Sequence, residues 1–162
     1  MIPDPDDDRA AAALVARLRE KTLRLTTAES CTGGLVAAMI TAIAGASDVF
    51  ERGFVTYANA AKTEMLGVPS ALIAAHGAVS AEVAQAMATG ALAHASAEIA
   101  LAITGIAGPG GGSAEKPVGL VWFGLARAGR AQAVSRKFLG SRNAVRAAAT
   151  REAILLLQAF IN

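Results

Sequence analysis

A chain of 162 residues is long enough to bury a hydrophobic core as one domain without staples. Its single cysteine excludes an internal disulfide and fits a reducing compartment. No apolar run reaches the length of a membrane span, and residues 1–8 are acidic where a signal peptide is basic, so a cytoplasmic protein with no membrane partner is expected.

Apolar residues make up 54% of the chain but aromatics only 4%, with alanine filling much of the difference. Alanine-rich helices pack closely, against one another and against other subunits, which makes a homo-oligomer an expectation. The net charge is only +2, yet residues 127–151 hold Arg127, Arg130, Arg136, Lys137, Arg142, Arg146 and Arg151 and no acid. That run reads either as a solvated face or as a site for a phosphorylated ligand. Few aromatics and no recognisable binding motif argue against nucleic acid.

Residues 1–9 read as a flexible or capping lead. A helix over 10–20 follows, with Leu14, Val15 and Leu18 inward. Residues 23–28 predict a strand and 32–44 a helix, since Leu35, Val36, Met39, Ile40 and Ile43 recur at helical spacing. Between them stands Ala28-Glu29-Ser30-Cys31-Thr32-Gly33-Gly34. Such a turn can lift a side chain clear of a sheet edge. The N–H groups near Thr32, Gly33 and Gly34 could stabilise a developing oxyanion.

Ser30 is the leading nucleophile, and a plain helix N-cap is its structural alternative. The turn is not the G-x-S-x-G elbow, because Ala28 and Thr32 occupy the glycine positions. Cys31 is the rival nucleophile, since a helix N-terminus lowers a thiol pKa; a Cys–His pair would need His76 or His94.

Residues 53–58 predict a second strand. Asn59 then caps a short helix ended by Gly67, and Pro69 starts another that stops near Gly77. With Asn59 as N-cap, Lys62 stands at the third helical position, where the dipole opposes a cation. Dipole and burial together would depress its pKa and let it act as general base; an exposed lysine tolerated at small cost is the alternative. Tyr57, the only tyrosine, could hydrogen-bond the lysine or the serine, or simply pack.

Ser80 predicts the N-cap of a helix reaching about 96, and 98–104 an apolar strand. The glycine-rich loop 105–117 follows it. A strand comes next rather than a helix, so the loop is neither a Walker loop nor a dinucleotide fingerprint. Ser113-Ala114-Glu115-Lys116 matches S-x-x-K by letters alone. Residues 120–127 and 131–139 predict a hairpin around Ala128-Gly129-Arg130, and 141–160 a last helix. Strands interspersed with helices, then a hairpin, predict a three-layer α/β/α sandwich with a mixed sheet. The two histidines, one cysteine and scattered acids offer no metal site.

Six segments in order carry a resemblance: the 28–34 turn, Tyr57-Ala58-Asn59-Ala60-Ala61-Lys62, Leu66-Gly67-Val68, His76-Gly77-Ala78-Val79-Ser80, Thr104-Gly105-Ile106-Ala107-Gly108-Pro109 and Lys116-Pro117-Val118-Gly119. Together they resemble the CinA C-terminal domain family, the nicotinamide-nucleotide amidohydrolases, over about residues 10–160. The resemblance implies a stand-alone single domain that hydrolyses the amide of nicotinamide mononucleotide, a pyridine nucleotide, without a cofactor. It implies Ser30 as nucleophile and Lys62 as its base, with Tyr57 nearby. It puts Asn59, Thr104 and Gly105 against substrate, and Arg142 and Arg146 on its phosphate. Ser141 stands where the family often has Asp, and Ala58 where it often has Ser. The contrasting expectation is a non-catalytic nucleotide-binding sensor or oligomeric interaction module.

Overall fold

The computed structural model describes residues 5–162; the first four residues of the expected lead lie outside them. Helix α1 spans Pro5–Glu20, so the expected lead is helical from Pro5 onward. Three aspartates in its first turn complement the helix dipole, and proline suits a first helical position. Arg151 donates to both carboxylate oxygens of Asp7 at 2.5 and 2.9 Å, tying this turn to the far end of the chain.

The strands β1 (Leu25–Glu29), β2 (Phe50–Val55), β3 (Ile99–Gly105), β4 (Leu120–Arg127) and β5 (Arg130–Lys137) form one sheet in the order β2-β1-β3-β4-β5. β1 runs parallel to β2 and β3, whereas β4 and β5 are antiparallel additions. The expected mixed sheet is therefore present. The helices are α2 (Leu35–Thr41), α3 (Asn59–Leu66), α4 (Ser70–His76), α5 (Ala81–Ala93) and α6 (Arg142–Phe160).

One buried cluster joins α1, α2 and α6 to one sheet face through Leu25, Ile99, Leu101, Ile103 and Phe123. A second joins α3, α4 and α5 to the other face through Ala28, Ala100, Ala102 and Ala126. β3 alternates large with small, so its two faces are covered at different distances. α5 lies so close that a Cβ on Gly124 would come 2.0 Å from the Ala84 carbonyl oxygen.

α5 ends at Ala93 rather than about 96 and β5 spans Arg130–Lys137 rather than 131–139, and three further departures bear on the site. β2 starts at Phe50 and ends at Val55, not 53–58. The charged pair Glu51 and Arg52 masks its first half, and residues 56–58 leave the sheet to serve Lys62. Ala58, not Asn59, is the N-cap of α3, so Lys62 is its fourth residue. α2 is shorter than expected, because Gly33 and Gly34 adopt positive φ of 62° and 98° before it. Ser80 and Ser141 do cap α5 and α6, accepting from Val83 and Ala144.

The chain turns from β1 through α2 to β2 on one side, then crosses to β3 on the other. The strand order thus reverses at β1. Ligands of open α/β sheets gather beyond the carboxyl ends of strands at such a point.

Candidate active site

Ser30 follows β1 directly, at that reversal. Its N–H donates to the Ile103 carbonyl at 2.9 Å, and its own carbonyl accepts from Gly33 at 3.1 Å. The hydroxyl is thereby held at the sheet's end by main-chain bonds on both sides.

Lys62 is 1% exposed and reaches Ser30 from α3, with Nζ 3.1 Å from Oγ. Nζ also donates to the main-chain carbonyls of Thr56 at 2.8 Å and Tyr57 at 3.4 Å. Burial holds its pKa below the ordinary lysine value. A neutral amine has two N–H groups and one lone pair. The two carbonyls take the N–H groups, and the lone pair is left for the serine hydroxyl. The leading cause is desolvation, one of the two effects the sequence reading invoked.

A cavity of about 220 Å³ opens onto the pair, lined by Ser30, Cys31, Tyr57, Asn59, Lys62, Ala78, Val79, Thr104, Gly105, Ala107 and Arg142. Thr104 donates through its hydroxyl to Ala78 O at 2.8 Å, closing one wall. Arg142 crosses the mouth, donating to Gly108 O at 2.8 Å and to the Tyr57 hydroxyl at 2.7 Å. Tyr57 therefore bonds neither Ser30 nor the lysine through its phenol; its main-chain carbonyl meets Lys62. Lys116 anchors the glycine-rich loop to the His76 carbonyl. A larger hollow of about 520 Å³ beside the β4–β5 hairpin, lined by Leu125, Arg127, Val134, Leu156 and Phe160 among others, holds no nucleophile or base.

Three expectations need correction. Gly33 and Gly34 do not offer their N–H groups to an oxyanion: Gly33 donates to Ser30 O, and Gly34 to Glu29 Oε2 at 3.0 Å. Of the three residues named, only Thr32 has an N–H without a hydrogen-bond partner among the described residues. Arg146 is not among the residues lining the cavity; it donates through Nε to Cys31 O and through Nη2 to Thr32 O, both at 3.1 Å. Cys31 is 6% exposed, and burial pushes its thiol up to about 11, against the reactive thiol its position suggested. Neither histidine supports it: His76 faces Glu82 at 3.6 Å, and His94 bonds Gly90 O at 2.8 Å.

Sequence reasoning missed Glu29. It is 1% exposed and accepts from Gly34, Val36 and Ala37, so it caps α2 from the strand before it. A single acid on an otherwise uncharged strand was the available signal. Among the described residues no cluster of histidine, cysteine and acidic side chains could hold a metal, and no helix is long and apolar enough to cross a membrane.

The fold and this pair define an α/β protein with a buried serine–lysine dyad at the switch point of a mixed sheet. The CinA C-terminal domain model matches residues 7–161, and the chain belongs to that family. A "CinA-like protein" of Geobacter sp. (strain M21) is 53% identical over 155 residues, covering 96% of this chain and 36% of that protein. The chain thus spans about a third of the length of the CinA-like relatives it matches. The "Nicotinamide-nucleotide amidohydrolase PncC" of Escherichia coli (strain K12) is 55% identical over 142 residues, covering 86% of each chain. The crystal structure of a competence/damage inducible protein from Agrobacterium tumefaciens superposes with a TM-score of 0.95 at 44% identity, covering 100% of this chain and 99% of that one.

Proposed function

We propose that the chain hydrolyses the carboxamide of nicotinamide mononucleotide to nicotinate mononucleotide and ammonia, through an acyl-enzyme on Ser30. The observation that carries it is the 3.1 Å contact between the buried Lys62 amine and the Ser30 hydroxyl at the base of the cavity. The substrate follows from the E. coli relative, which covers nearly the whole chain and is named for that activity.

Lys62, neutral, takes the Ser30 proton as Oγ attacks the carboxamide carbon. The main-chain N–H groups of Cys31, which lines the cavity, and of Thr32 behind it are the donors of the turn left for the oxyanion. As the tetrahedral intermediate collapses, the C–N bond breaks, the Lys62 ammonium returns its proton to nitrogen, and ammonia leaves. Water then attacks the ester with Lys62 again as base, releasing the acid and restoring Ser30. Arg142, with guanidinium N–H groups left after its bonds to Gly108 and Tyr57, meets the phosphate at the mouth. Asn59, Thr104 and Gly105 line the substrate's path. No step calls on a cofactor. The reading includes a cytoplasmic location, self-association, and a small-molecule partner rather than nucleic acid.

The test is ammonia release from nicotinamide mononucleotide by the parent, Ser30→Ala and Cys31→Ser. The expected result is turnover by the parent, a fall of roughly 10³-fold or more in Ser30→Ala, and turnover within about threefold of the parent in Cys31→Ser. Turnover retained by Ser30→Ala overturns the nucleophile. Substrate binding by the parent without ammonia release makes the chain a nucleotide sensor instead.

A further inference from the structure

We propose that Arg146 is a positioning residue that aims the nucleophile turn, rather than a ligand for the substrate phosphate. The proposal rests on Ser30 being the nucleophile. Arg142 and Arg146 stand one turn apart on α6, on the same helix face. Arg142 lines the cavity, whereas Arg146 reaches the turn and engages two successive main-chain carbonyls, Cys31 O and Thr32 O.

The planar guanidinium meets the two oxygens from two different nitrogens, Nε and Nη2, in a fixed fork, whereas a lysine would have to reach both from a single nitrogen on a flexible stem. Each peptide unit is planar and trans, so fixing a carbonyl fixes the N–H of the next residue on the opposite side. Arg146 on Cys31 O therefore turns the Thr32 N–H away from the guanidinium. Arg146 on Thr32 O sets the Gly33 N–H, which donates back to Ser30 O at 3.1 Å. A cation on both carbonyls also polarises the N–H groups of the same peptide units. The reacting hydroxyl and an oxyanion donor are thus oriented by one side chain that touches neither substrate nor Ser30 Oγ. The bonds run from residue 146 to residues 31 and 32, so the loop cannot supply this support locally.

The experiment compares Arg146→Ala and Arg146→Lys with the parent in three measurements. Turnover of nicotinamide mononucleotide reports on kcat. Calorimetric binding of the same compound, in a Ser30→Ala background with and without Arg146→Ala, reports on Kd. The rate of Ser30 labelling by a fluorophosphonate reports on the nucleophile without assuming an amide substrate. Both variants should lose about 100-fold in kcat and in labelling rate, since a displacement of about 1 Å at a reacting centre costs that much. Kd should stay within about threefold, and added guanidinium ion should partly restore Arg146→Ala but not Arg146→Lys. If Arg146→Ala does not fold, Arg146→Lys gives the same comparison. A Kd raised tenfold or more with the labelling rate kept overturns the proposal in favour of a phosphate ligand. Unchanged kcat and labelling also overturn it. A parent that labels at Ser30 yet releases no ammonia fails the amide reading alone, and the labelling rates still decide the role of Arg146.

Discussion

Charge on Lys62 is costly where the side chain is 1% exposed and has three hydrogen-bond partners but no carboxylate among them. Its pKa in the folded protein lies below the ordinary value of 10.5, with desolvation as the leading cause. Between the folded and unfolded pKa values, the unfolded chain holds a proton that the folded one lacks. Stability contributed by this site therefore rises with pH across that window and levels off above 10.5. Relative to a Lys62→Met variant, the parent should gain unfolding free energy as pH is raised toward 10.5, by up to about 1.4 kcal/mol per unit inside the window. Denaturant titrations of both proteins at several alkaline pH values check it, and parallel profiles would mean an ordinary lysine. The same shift keeps a fraction of the amine neutral at lower pH, which a base toward serine requires. Cys31 moves the other way: burial disfavours its thiolate, which leaves the adjacent hydroxyl as the nucleophile.

Among the described residues, two turns place a residue other than glycine at positive φ, Thr22 after α1 at 54° and Ala128 in the β4–β5 hairpin at 48°. The β4–β5 hairpin closes with Arg127 paired to Arg130, which leaves the two-residue loop Ala128-Gly129 at φ of 48° and 76°. Both positive values match a type I′ turn, where asparagine or glycine is the favoured first residue. Alanine at positive φ is strained. Ala128→Asn should therefore raise stability by about 0.5–1 kcal/mol without altering turnover, measured as a higher denaturant midpoint at unchanged slope. The helix–sheet contact is stricter. Small residues on one face of β3, and glycine at 124, let α5 settle against the sheet. The Glu29 carboxylate likewise holds the start of α2, a helix of only seven residues with no side-chain cap from Gly34. With the carboxylate on these N–H groups, the oxyanion donor is sought in the turn itself.

Across the whole molecule, the site joins the end of β1, the start of α3, the end of β3 and the start of α6. A ligand that spans them stabilises the folded state by mass action. Ser30→Ala, which cannot form the acyl-enzyme, should gain about 2.7 kcal/mol at substrate levels 100-fold above Kd. That corresponds to a rise of about 5–10 °C in Tm for a chain of this size, read in a thermal scan. An unmoved Tm would mean that the cavity does not take the nucleotide. The sequence by itself determined the layer architecture, because the apolar periodicities of α1, α6, β3 and β4 are long and each buries one face or both. It also carried Ser30 and Lys62, through motifs and a resemblance rather than through periodicity. Only tertiary structure decided which of the turn's N–H groups are engaged, that Tyr57 serves Lys62 through its carbonyl, that Glu29 caps α2, and that Arg146 clasps the turn across more than a hundred residues. Those bonds involve main-chain atoms, which every residue shares, so side-chain identity leaves no record of them. The extent of β2 was hidden likewise: its register beside β1 is set by long-range pairing, while Glu51 and Arg52 interrupt the local apolar signal.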